Sequence, residues 1–164
     1  MADKTLTIQI AKQIAQSELD KIKDRESRDF HKAHEKAVVA CSKLLAQSRK
    51  IDNEVLEIAG WLHDIGKSIE NENHAQHSIE ILEKQGYEIS EILRDCILNH
   101  GTHDIPNTEE GKIIHIADKL STINKDIVKI LAKYSLKKDK ESKDKDLEFI
   151  RKLANQGIDL LKQE

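Results

Sequence analysis

An apolar helical stripe that ends in a histidine–aspartate pair constrains this chain more than any other feature of its sequence. The apolar residues between positions 55 and 62 recur at helical spacing, and His63 continues the same face. Asp64 follows at once. Because adjacent helical residues point about 100° apart, the pair can reach one centre only in a cleft between helices. An aspartate at the buried end of an apolar helix needs a paired charge or a metal. For a single such pair, the favoured interpretation is an ordinary helix C-terminus. Gly66 would end the helix, and the positive charge of Lys67 would interact with the negative end of the helix dipole.

The chain as a whole is predicted to be all-α. Pro106 is its one proline, aromatic residues make up 3% of it, and alternating strand-like runs are missing. Its 164 residues suffice for one domain with a substantial core. We expect a single helical bundle over 1–164, with a core at about 28–132, a charged linker or solvated helix at 133–146, and an added C-terminal helix at 147–164.

The C-terminal helix carries an apolar stripe that permits two interpretations. Leu147, Ile150, Ala154, Ile158 and Leu161 share one face of it. We favour a helix that packs back on the domain through this face. The alternative is that the face is offered to a partner, in which case the chain forms a homo-oligomer through its terminal helices.

Charge and cysteine content exclude several classes of function. Charged residues make up 35% of the chain and leave a net charge of -3, so nucleic acid is not expected as a partner. No apolar run approaches the ~20 residues that cross a membrane, and the start of the chain lacks the apolar core of a signal peptide. Cys41 and Cys96 are isolated, which is typical of small core residues in a reducing compartment. We therefore expect a cytoplasmic protein without membrane contact.

Periodicity and capping residues predict where the other helices lie. The predicted ranges are 5–23, 28–47, 73–86, 90–100 and 146–162, and further helices end at His63 and begin after Thr108. Ser27 is expected to cap the second helix, and Asp52 or Asn53 the third.

Further side chains of metal-binding type lie on the apolar faces of these helices. His31 competes with His34 for the inner face of the second helix, and His34 is preferred because its stripe stays apolar. His77 and His115 are expected to lie off their stripes, with His115 facing outward. The side chains that share the apolar faces are His34, His74, His100 and Asp118.

Together with His63 and Asp64, these side chains need a common partner, because buried polar groups without one destabilise a fold. Imidazole nitrogen and carboxylate oxygen without thiolates suit a divalent transition metal such as Fe, Mn, Co, Ni or Zn. These six side chains are more ligands than one catalytic ion needs, because such an ion keeps coordination positions open for water and substrate. We therefore expect two ions that share a bridging carboxylate, an arrangement suited to displacement at phosphorus.

Three segments resemble the H…HD…D signature of the HD-domain metal-dependent phosphohydrolases. They are His34, the stretch Trp61-Leu62-His63-Asp64-Ile65-Gly66-Lys67, and Ala117-Asp118-Lys119. The resemblance covers about 30–123, and segments 73–82 and 97–100 are similar to the two extra histidine segments of the branches that bind two metals.

The resemblance implies a role for each matching residue. The first ion would be held by His34, His63, Asp64 and Asp118. Asp64 would bridge to a second ion held by His74 and His100, and Lys67 would bind the substrate phosphate. The chain departs from the cyclic-dinucleotide phosphodiesterase branch at His100-Gly101, lacks a following GYP tripeptide, and has Ala37-Val38 where an arginine-valine is usual. His103 would bind substrate from the loop in place of a missing histidine.

The resemblance implies hydrolysis of a small phosphorylated substrate, a nucleotide, by attack of a metal-bound hydroxide. Asp64 and Lys67 would then be the catalytic residues, and Glu70, Glu72 and His103 are candidates for the general acid. One alternative is a non-catalytic metal-binding module with a regulatory or scaffold role. The other is a nucleic-acid phosphodiesterase, which predicts salt-dependent binding of strands.

Overall fold

The computed structural model describes residues 4–163, and helices dominate this range. Lys4 and Tyr87 add an isolated parallel β-bridge. The predicted all-α class is confirmed. In chain order the helices are α1 (Ile8–Leu19), α2 (Arg25–Ala46), α3 (Asn53–Leu62), α4 (His74–Lys84), α5 (Glu91–Leu98), α6 (Glu109–Leu120), α7 (Lys125–Ser135) and α8 (Lys140–Leu161), with 3₁₀ turns at Ile65–Ser68 and Ser121–Ile123.

The core forms where the apolar stripes of the helices meet. α2 lies centrally and packs against α3, α6 and α7, while α3 also contacts α1 and α5. Leu56 and Leu62 of α3, Ile79 of α4, Ile97 of α5 and Ile114 of α6 are fully buried. Burial of each such side chain contributes about 1.5–3 kcal/mol, so these stripes hold α3, α4, α5 and α6 around one core.

Short polar side chains begin most of the helices. Asp52 caps α3 and Thr108 caps α6, as predicted. The predicted cap at Ser27 is wrong, because Asp24 caps α2 and accepts a hydrogen bond from the Ser27 N–H at 2.7 Å. α2 therefore begins at Arg25, three residues before the predicted start at 28, and the acidic Glu26 in its first turn suits the positive end of the helix dipole.

The charged segment near the C-terminus is mostly helix rather than linker. α8 begins at Lys140, six residues before the predicted start at 146, and Asp139 caps it. Its C-terminal half packs back on α6, where a Cβ on Gly157 would lie 2.9 Å from the side chain of Leu120. The first half leaves Leu147 and Phe149 exposed.

None of the helices within residues 4–163 combines the length and the apolar character that a membrane span requires.

Asp95 of α5 holds the loop that leads into α6. Its carboxylate accepts hydrogen bonds from the Thr108 N–H at 2.8 Å, the Thr108 hydroxyl at 2.6 Å and the Asn99 amide at 2.7 Å. Burial opposes ionisation of this side chain, but the Thr108, Asn99 and Asn107 donors lower the pKa of Asp95 to about 2. The ionised carboxylate therefore fixes the start of α6, which carries Asp118.

Asp95→Ala is expected to lower the free energy of unfolding by about 3 kcal/mol, because it leaves several hydrogen-bond donors of the loop, most of them partly buried, without an acceptor. Chemical denaturation measures this loss, and Glu91→Ala, an exposed carboxylate on the same helix, is the matched control. The wild-type advantage should be complete above the ordinary pKa of 3.8 and shrink as the pH falls toward about 2. An equal effect of both variants would contradict this role.

Candidate metal centre

Asp64 lies at a sharp junction, where α3 ends and the 3₁₀ turn begins. Gly66 permits this junction, because a Cβ on it would lie 1.9 Å from the carbonyl oxygen of His74. The Gly66 N–H donates to Ser78 Oγ at 2.9 Å, and Ser78 Oγ lies 3.0 Å from the carbonyl oxygen of His63. The histidine–aspartate pair is thus tied to the start of α4, which supplies His74.

A first group of donor atoms joins α2, the end of α3 and α6. His34 Nε2 lies 2.9 Å from Asp118 Oδ1 and 3.3 Å from His63 Nε2. Asp64 Oδ2 lies 3.7 Å from His34 Nε2 and 3.8 Å from His63 Nε2. Donor atoms this close together could hold one first-row ion, whose ligands lie about 2.0–2.2 Å from it.

A second group lies on the other side of the same carboxylate. His74 Nε2 and His100 Nε2 are 3.0 Å apart, and they lie 3.2 Å and 3.4 Å from Asp64 Oδ1. The two oxygens of Asp64 therefore face two different pairs of imidazoles. A carboxylate placed in this way has one oxygen available to each pair of imidazoles.

The outer hydrogen bonds of the four imidazoles all use Nδ1, so Nε2 is the nitrogen of each ring that faces the cluster. The Nδ1–H groups of His63, His74 and His100 donate to the carbonyl oxygens of Gly60, Asn71 and Ile97, at 3.1, 2.7 and 2.6 Å. Ser121 Oγ donates to the carbonyl oxygen of Asp118 and so accepts from His34 Nδ1–H at 3.0 Å. In the neutral form of these rings, Nε2 lone pairs that face each other at about 3 Å repel unless a cation lies between them.

The charge state of the carboxylates also fits a metal. Neither oxygen of Asp64 accepts a well-aligned hydrogen bond within the described residues, although Asp64 is buried. Burial opposes ionisation, but Lys67 and His63 lower the pKa of Asp64 well below its ordinary value. Burial likewise opposes ionisation of Asp118, and His34 and His63 lower its pKa. Burial lowers the pKa of His34 and His100, so both favour the neutral form that binds metal.

Two lysines lie against the two aspartates. Lys67 Nζ is 2.9 Å from Asp64 Oδ2, and its side chain remains 21% exposed. Lys119 is buried, and its ammonium contacts Asp118 Oδ2 and donates to the carbonyl oxygen of His100 at 2.6 Å. Lys119 therefore leaves Asp118 Oδ1 to face the imidazoles, while Lys67 is the cation with access to solvent.

The other predicted site residues lie farther out. His103 and Glu72 are exposed, and Glu70 pairs with His77 at 2.9 Å. Substrate binding by His103 stays a prediction.

One predicted orientation is wrong. His115 is buried rather than outward-facing, because α8 packs over α6 beside it, and its Nδ1–H donates to the carbonyl oxygen of Asn99 at 3.2 Å.

Two further buried polar residues beside the cluster, His31 and Glu35, were not among the predicted site residues. His31 was considered only as a competitor of His34, yet it is buried with Nδ1 at 3.6 Å from Asp64 Oδ2. Glu35 is also buried, and its burial together with the charge of Asp64 raises its pKa well above the ordinary value. Their spacing of four residues on α2 was the available signal, since it puts both on one helical face.

Comparison with known proteins gives the class to which this arrangement belongs. Residues 32–123 match the family model of the HD domain, so the chain belongs to the HD-domain family. The expected family and fold are therefore confirmed, and the buried cluster lies within the matched range.

Relatives of the chain include two kinds of curated protein. It is 26% identical over 113 residues to a deoxyguanosinetriphosphate triphosphohydrolase-like protein of Caldanaerobacter subterraneus subsp. tengcongensis, across 57% of this chain and 33% of that protein. It is 33% identical over 94 residues to Ribonuclease Y of Borreliella burgdorferi and 34% over 91 residues to that of Thermosipho melanesiensis, across 54% of this chain and 18% of each. The chain thus spans a third or less of these relatives. No solved structure matches it significantly.

Proposed function

We propose that this protein is a metal-dependent phosphohydrolase whose substrate is a small phosphorylated molecule, a nucleotide. The observation that carries the proposal is the division of the Asp64 carboxylate, with Oδ2 toward His34 and His63 and Oδ1 toward His74 and His100. Such a set suits two divalent transition-metal ions, which when bound would activate water and neutralise charge on a phosphoryl group. We also propose that α1–α7 and α8 form one domain.

The chain's own residues have separate roles in this proposal. His34, His63 and Asp118 would hold the first ion, His74 and His100 would hold the second, and Asp64 would offer one oxygen to each. The backbone carbonyls that receive the Nδ1–H groups fix each ring with Nε2 toward the ions.

Lys67 is the residue that reaches the substrate. Its ammonium lies at the partly exposed edge of the cluster, beside the most exposed of the candidate ligands, His74, whose side chain is 22% exposed. A phosphate that enters here meets a positive charge next to the metal centre. The names of the relatives, a triphosphohydrolase-like protein and a ribonuclease, support a nucleotide-type phosphoester as the substrate.

A phosphoester panel tests the proposal. Metal-free protein is loaded with each candidate ion in turn and offered nucleoside mono-, di- and triphosphates, a simple aryl phosphate monoester and an aryl diester. We expect turnover of at least one nucleotide that requires metal and stops with chelator. Protein that binds metal but turns over none of these would instead favour the non-catalytic metal-binding module.

Lys67→Ala is expected to retain the bound metal but to lower kcat on the order of 100-fold, because a charge that stabilises the phosphoryl oxygens is lost. Steady-state kinetics and metal analysis of the same preparation measure both effects. Lys129→Ala, an exposed lysine of α7, is the matched control. Unchanged kinetics in Lys67→Ala would contradict a role in phosphate binding and leave Lys67 only its ion pair with Asp64.

RNA is a second candidate substrate, because several relatives are named Ribonuclease Y. The net charge of -3 does not favour binding of strands. A short labelled RNA in the same panel separates the two candidates. Cleavage of RNA that weakens steeply with salt, and exceeds turnover of every nucleotide, would favour the ribonuclease function.

A further inference from the structure

His31 is a buried histidine beside the cluster that the two proposed ions do not require. Its side chain is 9% exposed, and Nδ1 has no hydrogen-bond partner within the described residues. A buried polar group in this state costs about 1–3 kcal/mol unless it finds a partner. Asp64 Oδ2 lies 3.6 Å from this nitrogen, slightly beyond hydrogen-bond distance.

The ring of Phe30 holds His31 in this position. Phe30 meets the His31 ring edge-on, with centroids 5.4 Å apart, and stacks on the His34 ring with centroids 5.8 Å apart. One aromatic side chain therefore contacts both histidines. Because His34 is tied to Ser121 through Nδ1, this contact fixes the position of His31 relative to the cluster.

Lys67 competes for the same oxygen of Asp64. Its ammonium lies 2.9 Å from Asp64 Oδ2, yet the contact is an ion pair without a well-aligned hydrogen bond. The Lys67 side chain can turn toward solvent, where a substrate phosphate would arrive, whereas the buried His31 cannot leave. Once Lys67 has moved away, Asp64 Oδ2 could accept a hydrogen bond from another donor.

We infer that His31 is a positioning residue, which donates from Nδ1–H to Asp64 Oδ2 and orients the bridging carboxylate when Lys67 turns to the substrate phosphate. The inference rests on the proposed function, because it requires Asp64 to bind metal and Lys67 to bind phosphate. Outer hydrogen bonds of this kind orient a ligating carboxylate, and their loss typically lowers metal affinity by 10- to 100-fold.

Co²⁺ titration of metal-free protein tests the inference without any turnover. We expect His31→Ala to bind Co²⁺ about 10- to 100-fold more weakly than wild type and to shift the visible spectrum of the bound ion. His31→Asn should restore affinity and spectrum, because its amide nitrogen lies at the same number of bonds from Cα as Nδ1. His31→Gln extends the amide by one carbon and should not. His77→Ala, whose ring pairs with Glu70 and Glu80 outside the cluster, is the matched control.

The Lys67→Ala background sharpens the test. There His31 is the remaining donor for Asp64 Oδ2, so His31→Ala should weaken Co²⁺ binding more than it does in wild type. Equal affinity of His31→Ala and wild type, or equal losses in the Ala, Asn and Gln variants, would overturn the inference and leave the metal centre intact. Failure of the wild-type protein to bind Co²⁺ would overturn both.

Discussion

Asp64→Ala is expected to lose both bound ions and to lower hydrolysis on the order of 1000-fold or more, because bridging stabilisation worth several kcal/mol disappears. Asp64 offers one oxygen to each pair of imidazoles, and no other described carboxylate contacts both. Metal analysis and single-turnover kinetics on one preparation measure the two losses together.

The variant should remain folded, which separates loss of the site from loss of the protein. Removal of Asp64 relieves the cost of burying a carboxylate, and Lys67 retains access to solvent. We therefore expect a helical circular dichroism spectrum and a cooperative melt. Asp159→Ala, an exposed aspartate of α8, is the control for charge removal. Full activity in Asp64→Ala would exclude the bridging role.

His74→Ala combined with His100→Ala is expected to remove about half of the bound metal and most of the activity. The rings of His74 and His100 face each other and Asp64 Oδ1. Asp118 Oδ1 pairs instead with His34, so the ligands proposed for the first ion are left in place. The first ion should therefore stay. Metal analysis of the double variant, with kinetics on the same sample, measures this division.

His77→Ala is the matched control for the double variant. His77 lies one turn after His74 on α4 and binds Glu70 and Glu80 instead of the cluster. It should keep wild-type metal content and activity. Full metal content and undiminished turnover in the double variant would mean that the centre holds a single ion.

Helical spacing was sufficient to predict the convergence of the cluster. Because the apolar face of a helix turns toward the core, the stripes predicted that His34, His74, His100 and Asp118 lie on inner faces. The same reasoning failed at His115, since a single stripe predicts burial only when one face of the helix is covered. α6 is covered by α2 and α5 and also by α8, so a residue off the stripe is buried too.

Interactions made by a side chain with distant groups could not be predicted from local pattern. Ser78 fixes the backbone around Gly66, and Lys119 orients Asp118, yet neither hydrogen-bond partner could be identified from the spacing of the two residues. The start of α2 was missed for a related reason. Asp24 and Ser27 are both good caps, and the choice between them depends on where the chain leaves α1.

The metal content of the wild-type protein tests the central claim, that Asp64 bridges two ions, most directly. Protein is produced with Fe, Mn, Co, Ni and Zn each supplied during growth, purified without chelator, and analysed for metal per chain by mass spectrometry. We expect about two transition-metal ions per chain with at least one of these metals. One ion per chain under every condition would contradict the bridge, and content no higher than that of Asp64→Ala would contradict the metal centre itself.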